Sequence, residues 1–399
     1  MFLLRSCMLE VPGVTKRPSF LLSALLLGLL ALPGCNDTAY PEDLSYRYED
    51  YQSWDDTKQQ MRYVTIRSSK QDQITEALEP YFGTPRYPRV YTAVQGQGDK
   101  LKGVMTDEAK ALLVGGKEDK KALRLDKDTL ERGSKLYRQQ CLHCHGLMGS
   151  GEGVTGQFLN PKPRDFRQGA FKFVSTSEKD SSGKYLTTSP TAPSRADLLK
   201  TLRNGIPTAS MPAFNLLPDE DLEALVSYVI HLSLRGQAEL ALTDEESTKK
   251  GFARETIEEK IQGAVRKWHD RSRSDYVPPQ PSKPWEQLHA DNQRTGRGRA
   301  VFLGAGGCVQ CHGKDAQASF YEVRDNITRR DQWGNLNAPR NLALGQFRGG
   351  SRPIDIFYRI KLGIKASGMP PAAETVTDED IWYLVDYVLS LPLERVARK

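Results

Sequence analysis

Cysteine and histidine are both scarce, six of each in 399 residues, which excludes a small disulfide-stapled scaffold. After residue 35 no apolar run is long enough to span a bilayer. A strong excess of one charge is also lacking, since 56 Lys and Arg stand against 50 Asp and Glu for a formal net charge of +6. So mild an excess, with no basic helix or aromatic platform beside it, argues against a nucleic-acid partner. Copper-ligand, flavin and quinone motifs are missing as well. What remains is 38 % hydrophobic and 27 % charged residues, the balance of a soluble globular chain with room for two or three domains.

Four of the six cysteines fall into two short motifs that carry the chemistry. Cys141, Leu142, His143, Cys144 and His145 read C-x-x-C-H, and the pattern returns at Cys308, Val309, Gln310, Cys311 and His312. It is the attachment signature of a c-type haem. Two thiols one helical turn apart can bond the two vinyl groups of one porphyrin, while the adjoining imidazole reaches the iron from one face. A zinc ribbon would place its cysteine pairs about 15–20 residues apart, far closer than these two pairs lie. A thioredoxin-like dithiol would follow a strand-helix-strand pattern, and the sequence before Cys141 is helical instead.

At the start of the chain, Lys16 and Arg17 precede an apolar run from Phe20 to Leu32 that ends in Leu32, Pro33, Gly34 and Cys35. Residues 1–34 thus resemble a bacterial lipoprotein signal peptide. The resemblance implies cleavage before Cys35, lipid on its thiol, and a place in the cell envelope, anchored to a membrane and facing the periplasm. On that reading Cys7 leaves with the signal and no cysteine is left for a disulfide. Residues 35–122 read as an N-terminal tether or extension. Asn36 to Trp54 is rich in Tyr, Asp and Glu and short of aliphatic side chains. Short helices are expected over 72–81, where Ile74, Leu78 and Tyr81 share a face, and from the N-cap Thr106 to Leu113.

The remainder contains one unit used twice. In the first copy, residues 123–236, a helix capped near Asp128 or Thr129 runs to Cys141 and carries Gly133 and Tyr137 on one face. A glycine-rich loop follows, then a helix over 196–203, and a closing helix over 219–234 with a buried stripe of Leu222, Leu225, Val226, Val229 and Leu232. In the second copy, residues 291–399, Gly298 and Phe302 take the places of Gly133 and Tyr137. Pro339 and Arg340 match Pro163 and Arg164, and Gly363, Ile364, Met369 and Pro370 match Gly205, Ile206, Met211 and Pro212. Between the copies, residues 237–290 read as a linker: a charged helical stretch, then a stiff segment with Pro278, Pro279, Pro281 and Pro284 that would set the distance between the two units.

With these motifs the chain resembles a dihaem class I cytochrome c over about residues 123–236 and 291–395. The resemblance implies an all-α fold of two tandem cytochrome c domains joined by the charged, Pro-rich linker. It also implies a crossing of first and last helices at Gly133 and Tyr137 against Tyr228, and at Gly298 and Phe302 against Tyr387. It implies two covalently bound haem c groups: one on Cys141 and Cys144 with iron ligands His145 and Met211, the other on Cys308 and Cys311 with His312 and Met369. Met148 is too near His145 to reach the opposite face, and Met61 and Met105 lie outside both copies. His143 is expected to face solvent, His231 to sit on a helix surface, and His269 and His289 to lie in or near the linker. The function so implied is single-electron transfer between a redox protein donor and acceptor, a respiratory complex or a soluble cytochrome, with no catalysis of its own. The alternatives are a dihaem peroxidase with one open iron, and an electron-transfer subunit of an oxidase or dehydrogenase.

Overall fold

The structure, a computed structural model, describes residues 44–397 except 56–57, 59, 98–99, 116–118, 120–121, 183–184, 187–191, 273–274, 281–291 and 319–329. The signal-like stretch, Cys35, Pro281, Pro284 and His289 therefore lie outside the described residues. Helix accounts for 46 % of the described residues, with little sheet, as the all-α expectation requires. The described strands form three antiparallel hairpins: β1 (Tyr51–Asp55) with β2 (Gln60–Val64), β3 (Ala93–Gln95) with β4 (Lys102–Val104), and β5 (Glu178–Lys179) with β6 (Tyr185–Leu186).

Before the first copy lie α1 (Ser68–Phe82) and α2 (Asp107–Leu113), the latter capped by the Thr106 side chain, which accepts from the Ala109 amide. Helix α3 (Lys127–Gln140) is capped by Asp126, whose carboxylate accepts from the Thr129 amide, so the cap lies two residues before Asp128, the earlier of the two positions expected from the sequence. It leads into α4 (Leu142–His145), the motif itself. Ser194 and Asp197 form a reciprocal capping box that starts α5 (Arg195–Asn204). Helix α6 (Asp219–Thr243) opens on Asp219, Glu220 and Asp221, where negative charge suits the helix N-terminus, and α7 (Arg254–Ser272) follows. The second copy supplies α8 (Asn292–Leu303), α9 (Val309–His312), α10 (Pro353–Lys361) and α11 (Asp378–Ala397).

Both copies are organised by one helix crossing. A Cβ added at Gly133 would fall inside the Ala224 carbonyl of α6 and within 3.0 Å of the Tyr228 Cβ, and at Gly298 it would fall inside the Tyr383 carbonyl of α11. Glycine is what lets the axes approach. One turn on, the rings of Tyr137 and Tyr228 lie 5.2 Å apart, and those of Phe302 and Tyr387 lie 5.3 Å apart.

Two expectations about the segments outside the copies change. Residues from Ser45 onward are not a loose tether: Tyr46, Tyr48 and Tyr51 are buried, and with Ile74, Leu78, Tyr81 and Phe82 they join the core of the first domain. Tyr51 donates to the Gly236 carbonyl at 2.8 Å and to Glu239 Oε1 at 3.0 Å. The hydroxyls compensate the scarcity of aliphatics by anchoring large rings on buried acceptors. Part of the stretch read as linker, up to residue 272, likewise contributes to the core. Helix α6 runs past residue 236 to Thr243, and α7 packs back against it through Ile257, Ile261, Ala264, Val265 and Trp268. These five follow a 3-4 spacing beneath a charged outer face, so an overall charge count hides them. Farther on, Tyr276 belongs to the second core, with its hydroxyl donating to Asp378 at 2.8 Å.

The two domains meet directly. Lys200 pairs with Asp355, Lys172 Nζ reaches Asp331 at 3.2 Å, Arg359 donates to the Val174 carbonyl at 2.6 Å, and Gln332 donates to Gln168 at 2.9 Å. The spacing between the domains is set by this seam.

Candidate functional site

The C-terminal end of α3 hands the chain to Cys141, and the α4 turn brings Cys144 and His145 to a cavity of about 470 Å³. Cys141, Cys144, His145 and Met211 all line it, and the other walls are largely apolar, among them Phe166, Leu198, Leu202, Phe214, Val226 and Val229. The thiols are not joined to each other. Burial, with a smaller push from Cys144, raises the Cys141 thiol to about 12, so it sits there as a neutral group in an apolar wall.

His145 is oriented by its neighbours. Its ring stacks on Phe166 at 4.6 Å, and Nδ1 donates to the Arg164 carbonyl at 3.4 Å. Burial lowers its pKa to about 4, against the opposing pull of that hydrogen bond, so the ring is neutral with the proton on Nδ1 and the Nε2 lone pair free for a metal. In the second domain His312 Nδ1 donates to the Arg340 carbonyl at 3.0 Å, and burial again lowers its pKa. The repeated Pro-Arg pair thus supplies the same carbonyl to each imidazole.

The two methionine loops agree bond for bond. The Ile206 amide donates to the Met211 carbonyl at 3.1 Å, and the Ile364 amide to the Met369 carbonyl at 3.1 Å. Ala209 and Ser367 close the same inner turn on Ile206 and Ile364, each at 3.1 Å, and Phe214 and Ala372 tie the loop ends to Leu202 and Ile360. Both loops start at a glycine with positive φ, Gly205 at +62° and Gly363 at +69°, where a Cβ would lie 2.7 Å from the Met211 carbonyl oxygen or 2.8 Å from that of Met369. A side chain at either glycine would be strained twice, by φ and by contact.

Of the other sulfur and imidazole groups, Met148 is buried, Met105 packs against the first core, and His143 is exposed. His269 is buried on α7 with Nδ1 3.2 Å from Asp270. His231 differs from the sequence reading: it is fully buried, because Tyr46 and Phe82 of the N-terminal segment cover that side of α6. Its Nε2 lies 3.2 Å from the Tyr46 hydroxyl, which also bonds Tyr228 at 2.9 Å.

A family model described as "Cytochrome C oxidase, cbb3-type, subunit III" matches residues 128–229 and again 293–388. Fold, motifs and match together define a class I-type cytochrome c built in tandem, and the chain belongs to that family. The family carries covalent haem c with iron and serves haem electron transfer. A solved chain of the reducing HAO-like protein complex of Kuenenia stuttgartiensis is similar at 24 % identity, over 65 % of this chain and 96 % of that one, with a TM-score of 0.47. The curated proteins contain no match. The first cavity suits the family's group: an apolar slot bearing two thiols, a neutral imidazole and a thioether is the donor set that haem c requires.

Proposed function

We propose that the chain is a two-haem electron carrier, lipid-anchored through Cys35 and facing the periplasm. Cys141 and Cys144 would hold one haem with His145 and Met211 toward its iron, and Cys308 and Cys311 the other with His312 and Met369. When bound, haem c supplies a ferrous/ferric couple that exchanges one electron at a time. The protein's part is to fix the surroundings. The Arg164 and Arg340 carbonyls hold each imidazole in the tautomer that presents Nε2. The glycine-started loops hold each thioether by the same backbone bonds, which matters because a thioether is a weak ligand and needs a fixed backbone to stay in place. Largely apolar walls give the first cavity a low-polarity interior.

The observation that carries this reading is the bond-for-bond agreement of the Met211 and Met369 loops, which favours two filled irons over one open to peroxide. A haemochrome assay should give two haems per chain, and Cys141→Ala with Cys144→Ala should halve that value. The reduced protein should bind carbon monoxide poorly. One haem per chain, or one carbon monoxide bound per chain with peroxide turnover, would defeat the proposal. The match to a subunit of a terminal oxidase favours a second reading, in which the chain passes electrons as part of a larger oxidoreductase complex.

A further inference from the structure

The seam between the domains is lined by cations at equivalent places in the two copies. Arg164 and Arg340 correspond, as do Lys172 and Arg348, each of the latter following a phenylalanine, Phe171 or Phe347. The next equivalent positions touch across the seam: a Cβ on Gly349 would lie 3.1 Å from the Phe173 ring. Arg348, though carried by the second domain, is part of the wall of the first domain's cavity, together with Arg164 and Lys172.

These charges are poorly balanced. Asp331 meets Lys172 at 3.2 Å, and the Arg164 guanidinium lies over the Trp333 ring at 3.6 Å. Asp165, next in sequence to Arg164, is taken by Arg167 at 2.9 Å. Among the described residues Arg348 has no carboxylate partner and only a hydrogen bond to Thr208 Oγ1 at 3.4 Å. The buried Nε of Arg340 has no hydrogen-bond partner. Burial lowers the pKa of Lys172 to about 8, Arg164 and Arg348 adding to the effect, and Arg348 is itself lowered by burial and by Arg340. Half-buried cations facing one another are costly unless an anion joins them.

We propose that the first haem's site is completed across the seam: Arg348 of the second domain, beside Lys172, holds the carboxylate edge of the haem bound at Cys141 and Cys144. The inference rests on the two-haem reading given above. Each porphyrin of haem c carries two carboxylates, the partner that Arg348 lacks once Asp331 is taken by Lys172, and the cavity opens onto these cations. The second domain then sets the potential of the first haem, because a nearby cation disfavours the ferric state, which carries one more positive charge than the ferrous.

The test is a potentiometric titration of the full chain in a Met369→His background, where a changed axial ligand moves the second haem to a separate, lower potential. Haem content, measured first, reports on the two-haem reading by itself. Given two haems, Arg348→Gln should lower the midpoint of the first haem and Arg348→Lys should restore most of the shift. Lys172→Gln should act in the same direction, and remains informative if the Arg348→Gln chain folds poorly. Arg297→Gln, which removes an exposed cation of the second domain paired with Asp380, should leave that midpoint unchanged. A first-haem midpoint that is the same in Arg348→Gln, Lys172→Gln and their parent overturns the proposal, as does an equal shift in Arg297→Gln.

Discussion

His231 shows how far one residue's meaning depends on what covers it. It lies on α6 between Ile230 and Leu232, and the N-terminal segment seals it under Tyr46 and Phe82 with the charge of Arg235 nearby. Burial first, then Arg235, lowers its pKa to about 3. The sign follows: between that value and the usual pKa of about 6.5 the unfolded chain binds a proton that the folded chain refuses. The stability contributed by the neutral ring is present above pH of about 6.5 and is lost as the pH falls toward 3. Denaturant unfolding measured from pH 6 to pH 4 should show the parent losing up to about 1.4 kcal/mol per pH unit more than His231→Phe. Equal slopes would show that the ring is protonated in the folded state.

The helix scale holds the largest difference between sequence and structure. Helix α7 reads as a charged spacer, yet its inward residues, Trp268 above all at 1 % exposure, complete the first core beside α6. Trp268→Ala should therefore destabilise the protein by about 3–5 kcal/mol, while Glu259→Ala on the exposed face should change stability by no more than about 0.5 kcal/mol. Chemical denaturation followed by circular dichroism separates the two. A Trp268→Ala cost as small as that of Glu259→Ala would return α7 to the role of spacer. The helices that cross at Gly133 and Gly298 were legible beforehand, because a glycine paired with an aromatic one turn later appears in both copies before each motif.

For the whole molecule, the direct seam replaces a distance set by linker stiffness with one set by side-chain packing. Ion pairs such as that between Lys200 and the buried Asp355 fix the relative placement of two domains that carry the same machinery. The proposed anchor acts at this scale too, since lipid on Cys35 would hold both haem domains near one membrane and limit which partners they meet. In fractionated cells, Cys35→Ser should move the haem signal from the membrane pellet to the soluble periplasmic fraction, or block maturation. A normally processed variant that still pellets in high salt would rule out lipid as the anchor.

The sequence by itself determined whatever is local or repeated. Two thiols and an imidazole at fixed spacing specify a covalent haem motif without reference to the fold, and the twin Met-Pro loops stand out because the copies can be laid on each other. The tertiary structure decided what faces what. That Tyr46 roofs His231, that α7 turns an apolar stripe inward, and that Arg348 reaches the other domain's cavity all depend on surfaces brought together from distant parts of the chain. Periodicity shows that a helix has an apolar face but not which element will cover it. A lone charged residue on a loop carries no sign of the partner that folding will place beside it.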